Sequence, residues 1–298
     1  MKKTILLSIA LMTAFAAQAQ LKVAPKIQLH DQKTYSTTSV INIPGQKALT
    51  MTDETTYTVR ELLADGYVIG IETTKVTSDA TADNIAGQLM AASQEMMAGN
   101  EVRVAANNDG KLLRILNYTD VKQKMDSMVG TLIDKLLKSV PQLAQMPIEM
   151  LKQQIMENTT EENLLKTFEG GSCPLALNGK TITTGAQDEY VSNQGLKMKR
   201  MYFVNGQKVT TNSTLNMSKD DIKQLIIAQI EKIAPEQAEM VKQNIEQVMA
   251  SGMVKIDMKE TSSYDVQADG WVKSITSETT NESMGQTITI KTNVALKP

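Results

Sequence analysis

Residues 254–296, VKIDMKETSSYDVQADGWVKSITSETTNESMGQTITIKTNVAL, alternate apolar and polar side chains along three short runs. A turn signal at Asp269-Gly270 separates the first run from the second, which begins at Trp271. The side chains expected on one face are Val254, Ile256 and Met258 in the first run and Ile288, Ile290, Thr292, Val294 and Leu296 in the last. Period-two alternation is typical of antiparallel strands that bury one face. The sequence therefore predicts that the chain closes with three antiparallel strands.

Further strands are indicated earlier in the chain. Residues 33–75 are rich in Thr, Val, Ile and Tyr and are interrupted by Pro44-Gly45 and Asp65-Gly66, which predicts about three strands in a meander. A hairpin is expected at Asn108-Asp109-Gly110, because this turn signal lies between two short apolar runs. Residues 181–215 are also strand-like, with a turn at Asn205-Gly206.

Amphipathic helices are indicated between the groups of strands. One is expected over Ala80–Ala98, and a longer one follows from Val121 to Leu137, where apolar residues share one helical face. A further helix is expected between Pro147 and about Glu157. In the second half, Ile222 to Ile233 repeats the helical spacing, and this helix restarts after a proline and ends near Gly252.

Two capping boxes support the predicted helix starts. Thr159 with Glu162, and Ser218 with Asp221, have the spacing at which a hydroxyl and a carboxylate satisfy each other's backbone N–H groups. We therefore expect short helical turns after Thr159 and a longer helix after Ser218.

These elements define an α+β fold. Strands and helices that each bury one face must pack on one another. We expect a large antiparallel, curved, half-barrel-like sheet assembled from both halves of the chain, with the amphipathic helices on one face. The Gly170–Pro174 segment is the candidate internal boundary. It separates residues 20–169, a β-meander plus helices, from residues 170–298, strands plus a helix pair that complete one composite domain.

The two halves also share short sequences. Asp120–Gln123 resembles Asp221–Gln224, and Glu149–Ile155 resembles Glu239–Ile245, each within a predicted helix. One interpretation is an internal duplication of a hairpin followed by a broken helix pair. The alternative is that Glu, Lys, Gln, Ile and Met coincide readily on amphipathic helices.

The N-terminus predicts export. Residues 1–19 have the three parts of a signal peptide: Lys2 and Lys3, an apolar run, and the small-x-small site Ala17-Gln18-Ala19. The apolar run is shorter than the roughly 20 residues that span a bilayer. A lipid anchor would need a cysteine after the cleavage site, and the one cysteine is Cys173. We expect cleavage after about Ala19 and a periplasmic or extracellular protein that does not span the membrane.

Composition excludes several classes of function. His30 is the one histidine and Cys173 the one cysteine, so a histidine-based triad, a cysteine–histidine dyad and a zinc site all lack partners. Nothing in the sequence fixes a catalytic carboxylate pair. The net charge of −2 and the aromatic content of 4% argue against nucleic acid as a partner. We therefore expect a protein that is not an enzyme and that needs no cofactor or metal.

The chain contains 19 methionines, and many of them lie in the predicted helices. They have three interpretations: ordinary core filling, an adaptable apolar surface for a lipid-like ligand or partner, and thioether ligands for Cu(I) at close pairs such as Met198 and Met201. On the second interpretation, the candidate residues lining an apolar ligand site are Met125, Met128, Leu132, Ile226, Ile230 and Met240.

Three features carry a resemblance. The Thr-rich strands of residues 33–58, the hairpin Leu63–Tyr67 and the hairpin Glu101–Leu116 that feeds a helix resemble an uncharacterised family of exported proteins from Gram-negative envelopes, a domain of unknown function. That family has no agreed catalytic or binding residues, so the resemblance assigns none. More loosely, the expected architecture looks like the half-barrel of periplasmic lipoprotein carriers, although architecture does not fix function.

Two functional hypotheses follow from the sequence. The first is a non-enzymatic envelope protein that holds a hydrophobic or lipid-like ligand between sheet and helices. The alternative is a scaffold or interaction protein with a filled core, which binds another envelope protein through an exposed strand edge or helix face. A hydrolase that uses paired carboxylates ranks third.

Overall fold

A computed structural model of the chain describes residues 19–81, 84–139, 160–192, 195–233, 242–245, 256–283 and 286–298, together with residues 148, 152, 156 and 239. The first half contains β1 (Gln20–Val23), β2 (Gln32–Asn42), β3 (Leu49–Leu63), β4 (Gly66–Ser78), α1 (Ile85–Met97), β5 (Glu101–Asn107), β6 (Leu112–Ile115), α2 (Tyr118–Ser139) and α3 (Glu161–Phe168). The second half contains β7 (Lys180–Thr183), β8 (Gln187–Val191), β9 (Lys197–Asn205), β10 (Lys208–Leu215), α4 (Lys219–Ile233), β11 (Ile256–Val266), β12 (Val272–Ser283) and β13 (Gln286–Leu296).

One large sheet organises these elements. Over the described ranges it has 11 strands in the order β6-β5-β4-β3-β2-β13-β12-β11-β10-β9-β8, and it curves without closing. The named strand pairs of this sheet are antiparallel. Its two halves meet where β2 pairs with β13, the first and last strands of the sheet in chain order. The predicted α+β fold with a large curved antiparallel sheet is confirmed.

The helices of the first half cover one face of this sheet, which we call the inner face. Apolar side chains of α1, α2 and α3, among them Met96, Met125 and Leu164, join one core cluster with inner-face residues such as Tyr35 and Ile275. We call this cluster the main core. The spacing of apolar residues along α2 explains the packing, because Val121, Met125, Val129 and Leu132 lie one helical turn apart and are all buried.

The segment after α3 lies inside the main core. Cys173, Leu175 and Leu177 are buried there. Two inner-face tyrosines from opposite halves of the sheet hold it: Tyr264 donates to the Gly171 carbonyl at 2.6 Å, and the Tyr57 hydroxyl lies 3.6 Å from the Cys173 sulfur. The segment proposed as a boundary thus contacts both halves of the sheet, while the division into two parts stays a prediction.

Several local expectations can be compared with the structure. The capping box at Ser218 and Asp221 is confirmed, with Asp221 N–H donating to Ser218 Oγ at 3.1 Å and Ser218 N–H donating to Asp221 Oδ2 at 3.0 Å. The cap of α3 is Thr160, whose Oγ1 accepts from Asn163 N–H, so the expected Thr159–Glu162 pair is one residue out of register. The sequence did not predict strand β1, because its four residues are too few to show an alternation of apolar and polar side chains. Among the described residues, β1 pairs with the short strand β7.

Other expectations fall outside the described residues. The signal peptide falls there except for Ala19, the carbonyl of which accepts from Thr184 N–H. The restart of α4 after Pro235 and its end at Gly252 fall there too, as does most of the helix expected before about Glu157. The internal duplication stays a prediction.

Candidate functional site: a hydroxyl row and a buried ion pair on the inner face

A row of hydroxyl side chains crosses the inner face of the sheet. Cross-strand pairing aligns one hydroxyl residue from each of β9, β10, β11, β12, β13 and β2. These residues, which we call the hydroxyl row, are Tyr202, Thr211, Ser262, Ser277, Thr292 and Ser39. Directly paired residues point to the same face of a sheet. The row therefore forms a polar line across the inner face, and Arg200, Ser213 and Glu260 lie in a parallel line beside it.

Hydrogen bonds link parts of this row. Ser262 Oγ lies 2.9 Å from Ser277 Oγ and 3.0 Å from Glu260 Oε1, so it connects a carboxylate on its own strand to the next strand. Ser39 Oγ and Thr292 Oγ1 lie 3.0 Å apart. Thr211 is 1% exposed, and its Oγ1 has no hydrogen-bond partner among the described residues. A buried hydroxyl without a partner costs free energy, and at 1% exposure this hydroxyl is closed to a ligand.

The row ends at an ion pair between β8 and β9, in which Arg200 is buried and the side chain of Asp188 is 37% exposed. Arg200, which is 6% exposed, donates from Nε to Asp188 Oδ1 at 2.9 Å and from Nη2 to Asp188 Oδ2 at 2.8 Å. Tyr202 also donates to Asp188 Oδ2, at 2.7 Å. Burial raises the pKa of Asp188, but the hydrogen bonds from Arg200 and Tyr202 outweigh it and lower that pKa to about 2. Asp188 is therefore ionised and holds Arg200 in place.

A second cation lies beside this pair. Lys180, at the start of β7, donates to the Tyr202 hydroxyl at 3.0 Å and lies 3.4 Å from Asp188 Oδ2. Burial, and secondly the charge of Arg200, lower the pKa of Lys180. Arg200 in turn lies over two rings, 4.7 Å from the centre of Tyr190 and 5.1 Å from that of Tyr202. We call Lys180, Asp188, Arg200 and Tyr202 the charged cluster.

A second apolar band lies on the other side of the hydroxyl row from the main core. It consists of two clusters. The first has the buried residues Leu196, Met198 and Met258, with Tyr190, Leu215, Met217, Leu225 and Ile256 packed against them. The second has the buried residues Ile41, Leu49, Met51 and Ala91, with Ile43, Ala80, Ile288 and Ile290 packed against them. The packed-on residues are only half-buried. Asn281 lies in this band between Met258 and Ile288, and its Oδ1 is buried without a partner among the described residues.

Asp53, like Glu260, is an inner-face carboxylate with no cation within ion-pair distance among the described residues. Asp53 on β3 accepts from Thr55 Oγ1 at 3.1 Å, and it is paired across the sheet with Thr37. Burial raises the pKa of Asp53, against the opposing effect of hydrogen bonds from Thr55 and Thr37. Its carboxyl group therefore favours the neutral form more than an exposed aspartate does.

The residues predicted to line an apolar ligand site lie in different parts of the structure, as far as they are described. Met125 and Leu132 are buried in the main core, whereas Met128 is 37% exposed. Ile226 and Ile230 are half-buried on α4, which contacts the second apolar band through Leu225. Met240 lies outside the described residues. The structure thus places Met125 and Leu132 in a different cluster from α4, and a shared ligand site stays a prediction.

The position of Arg200 within β9 is a signal for the charged cluster in the sequence. In β9, Arg200 is in phase with Met198, Tyr202 and Val204, which form the buried side of an alternating strand. A cation in the buried phase of a strand requires a buried partner. The partner Asp188 could not be named, because that assignment needs the register of β8 against β9.

The opposite face of the sheet differs in character. There, β11, β12 and β13 form an open groove of about 510 Å³, lined by Thr, Ser and Asn together with Lys259, Lys291 and Glu278. Lys291 lies 3.5 Å from Glu278 and Lys259 lies 3.2 Å from Asp257, so its charges are balanced. The residues that line the groove are polar or charged, unlike those of the second apolar band.

The described residues contain neither a metal-ligating group nor a membrane-spanning helix. No group of three or more His, Cys, Asp and Glu side chains there could hold a metal ion. Among the same residues, no helix combines the length and apolar character needed to cross a membrane. His30 is exposed and adopts a left-handed backbone conformation with φ of 68°.

Comparison with known proteins does not assign the chain to a family. No protein-family model matches it, and neither does any curated protein. Among solved structures, the chain is similar to lipovitellin, in a structure concerned with lipid–protein interactions, with 9% identity and a TM-score of 0.39 over 92% of this chain and 26% of that one. It is also similar to DynF from the dynemicin biosynthesis pathway of Micromonospora chersina, with 8% identity and a TM-score of 0.19 over 95% and 88%. The chain spans about a quarter of the lipovitellin chain. Both scores are too low to bear on function.

Proposed function

We propose that the protein is an exported, non-catalytic binding protein that holds a hydrophobic or lipid-like ligand on the inner face of its sheet. The observation that carries this proposal is the second apolar band. Its apolar residues form clusters separate from the main core, and several of them, including Ile288, Ile290 and Leu215, are only half-buried. Apolar surface that stays in contact with water costs about 25 cal/mol per Å², so a ligand that covers it gains binding free energy.

The hydroxyl row gives the same surface an amphipathic character. Ligand sites are mostly apolar and contain a few convergent polar groups that fix orientation. Here the polar groups are half-buried hydroxyls such as Ser39, together with the charged cluster. A ligand with one apolar part and one polar part matches this arrangement better than a pure hydrocarbon does.

Export rests on the sequence of residues 1–19, and the mature protein is proposed to begin at Gln20. Gln20 is the first residue of β1, the first strand of the described residues. The intact mass of the protein recovered from its own envelope tests this proposal. A mass that starts at Gln20 supports it, and a mass that includes Met1 or Lys2 contradicts it.

Native mass spectrometry of the protein purified gently from its own envelope, followed by solvent extraction, tests ligand binding. We expect a reproducible lipid-sized adduct that is lost on denaturation. Ile290→Asn, which places an amide in the second apolar band, should reduce the adduct. Lys291→Asn on the opposite face is the matched control and should retain it. A bare mass for the wild-type protein after incubation with envelope lipids contradicts the proposal.

A second candidate function is a scaffold that binds another envelope protein, and the edge strand β8 favours it. At the other edge, the Glu161 side chain accepts from Ile115 N–H and so covers part of β6. Strand β8 leaves Val191 43% exposed at the end of the sheet. Exposed strand edges can pair with another chain. If Val191→Lys abolishes co-purification of a partner while the wild-type protein carries no adduct, this function replaces the first.

A further inference from the structure

The charged cluster carries an unbalanced positive charge next to the second apolar band. Lys180 and Arg200 share a single carboxylate, Asp188, within ion-pair distance among the described residues. Glu169, exposed at the end of α3, is the other carboxylate whose charge acts on Lys180. A partly buried cluster of two cations and one carboxylate attracts an anion, because low local polarity weakens the screening of its charge.

Asp188 is shared between two cations, and its contact with Lys180 is the longer one. Its Oδ2 already accepts from Arg200 at 2.8 Å and from Tyr202 at 2.7 Å, and Lys180 stands farther away at 3.4 Å. A lysine ammonium has three N–H donors. In the described structure one donates to the Tyr202 hydroxyl at 3.0 Å, and a second makes the long contact with Asp188. A third donor therefore remains for a ligand.

The cluster is accessible from solvent and continuous with the apolar band. The side chain of Lys180 is 34% exposed and that of Asp188 is 37% exposed, so a ligand head group can reach them. Tyr190 connects the two regions, because its ring lies under the Arg200 guanidinium and packs against the cluster of Leu196, Met198 and Met258. A charged head at Lys180 thus lies at the end of an apolar surface.

We infer that the ligand is an acidic amphiphile, whose anionic head group binds at Lys180 and whose apolar part lies on the second apolar band. This inference rests on the proposed function, and it adds the charge and polarity of the ligand. Arg200 contributes positive potential, and Asp188 fixes its position.

Binding of three probes with the same chain length separates the inference from the function on which it rests. Dodecanoate, dodecanol and dodecyltrimethylammonium are titrated below their micelle-forming concentrations against the wild-type protein. We expect dodecanoate to bind at least about tenfold more tightly than dodecanol, the ratio that one charge-assisted hydrogen bond supplies. Dodecyltrimethylammonium should bind more weakly than dodecanol.

Variants then locate the preference. Lys180→Met keeps the length of the side chain and removes its charge, so the preference for dodecanoate should fall to less than about threefold while dodecanol binding is retained, which also shows that the variant is folded. Lys180→Arg should keep the preference. Lys197→Met, which removes an exposed lysine paired with Asp221, is the matched control and should behave as the wild type does.

The outcomes are distinct. Equal binding of dodecanoate and dodecanol by the wild type overturns the inference and leaves apolar-ligand binding standing. A preference for dodecanoate that survives Lys180→Met also overturns it, because the anion then binds elsewhere. Failure of all three probes to bind overturns both the inference and the proposed function.

Discussion

The side-chain oxygens of Ser39 and Thr292 lie 3.0 Å apart across the pair β2–β13. These two strands are the first and last of the large sheet in chain order, and they meet in its middle. These residues are 253 positions apart in sequence, so the middle of the sheet forms only after the whole chain is present. Their contact also belongs to the hydroxyl row. The row thus joins the two halves of the sheet as well as crossing the proposed ligand surface.

A double-mutant cycle measures this contact. Thr292→Val leaves the Ser39 hydroxyl without its partner and should lower the free energy of unfolding by about 1 kcal/mol. Ser39→Ala combined with Thr292→Val should lower it by less than the sum of the two single changes, with a coupling energy of about 0.5–1 kcal/mol. Urea unfolding of the four proteins gives these values. Strictly additive changes would show that the hydroxyls do not interact.

The charged cluster predicts a loss of stability in acid. The pKa of Asp188 in the folded protein, about 2, is below its ordinary value of 3.8, so the folded state binds this proton less readily than the unfolded state. Its stabilising contribution is complete above about pH 4 and is lost as the pH falls through about 2. Asp188→Asn should flatten the dependence of the unfolding midpoint on pH over this window.

The control for this experiment is Asp126→Asn, which removes an exposed carboxylate paired with Lys122 on α2. Exposed pairs of this kind contribute little. The acid dependence of this variant should match that of the wild type. If the Asp188→Asn and Asp126→Asn proteins lose stability identically between pH 4 and pH 2, the account of the charged cluster is wrong.

The raised pKa of Asp53 predicts the opposite dependence of stability on pH. Because burial raises the pKa of Asp53, the folded state binds this proton more readily than the unfolded state. The protein should therefore lose stability as the pH rises from the unfolded pKa through the folded pKa. Asp53→Asn keeps the hydrogen-bonding shape and should be more stable than the wild type at pH 7. Thermal unfolding at pH 3 and pH 7 checks this, and a variant less stable at pH 7 contradicts it.

Cys173 should be unreactive in the folded protein. Burial raises the pKa of its thiol to about 11, and the side chain lies in the main core near Tyr57. Since the thiolate is the reactive form, a thiol reagent at pH 8 should modify Cys173 only when the protein is unfolded. Absorbance of a chromogenic disulfide reagent, with and without urea, measures this. Rapid modification without urea would show that the segment after α3 is not buried.

Replacement of glycine by alanine should have opposite effects on stability at two positions of the chain. A Cβ at Gly66 would meet the backbone carbonyl of Ala106 on the neighbouring strand, so Gly66→Ala should destabilise the protein by about 1–3 kcal/mol. A Cβ at Gly130 on α2 would meet nothing within 4 Å, and Gly130→Ala should stabilise the helix by about 0.5–1 kcal/mol. Chemical unfolding of both variants tests the pairing of β4 with β5. Equal effects of the two changes would contradict this pairing.

The fold was more accessible from the sequence than the site was. Alternation in β13 and helical spacing in α2 both result from burial of one face, and burial leaves a local pattern in the sequence. The hydroxyl row leaves no such pattern, because Ser39, Ser262 and Thr292 come together only through the register of separate strands. The same holds for Asp188 and Arg200, which are brought together by the pairing of β8 with β9.

The central claim is that a ligand lies on the second apolar band with its head group at the charged cluster. Photo-crosslinking with a dodecanoate that carries a diazirine at its apolar end, followed by peptide mass spectrometry, tests this directly. We expect labels on half-buried inner-face residues such as Leu215, Ile256 and Ile290. Labels confined to Lys259, Glu278 and Lys291 on the opposite face would contradict it, as would labelling unaffected by excess dodecanoate.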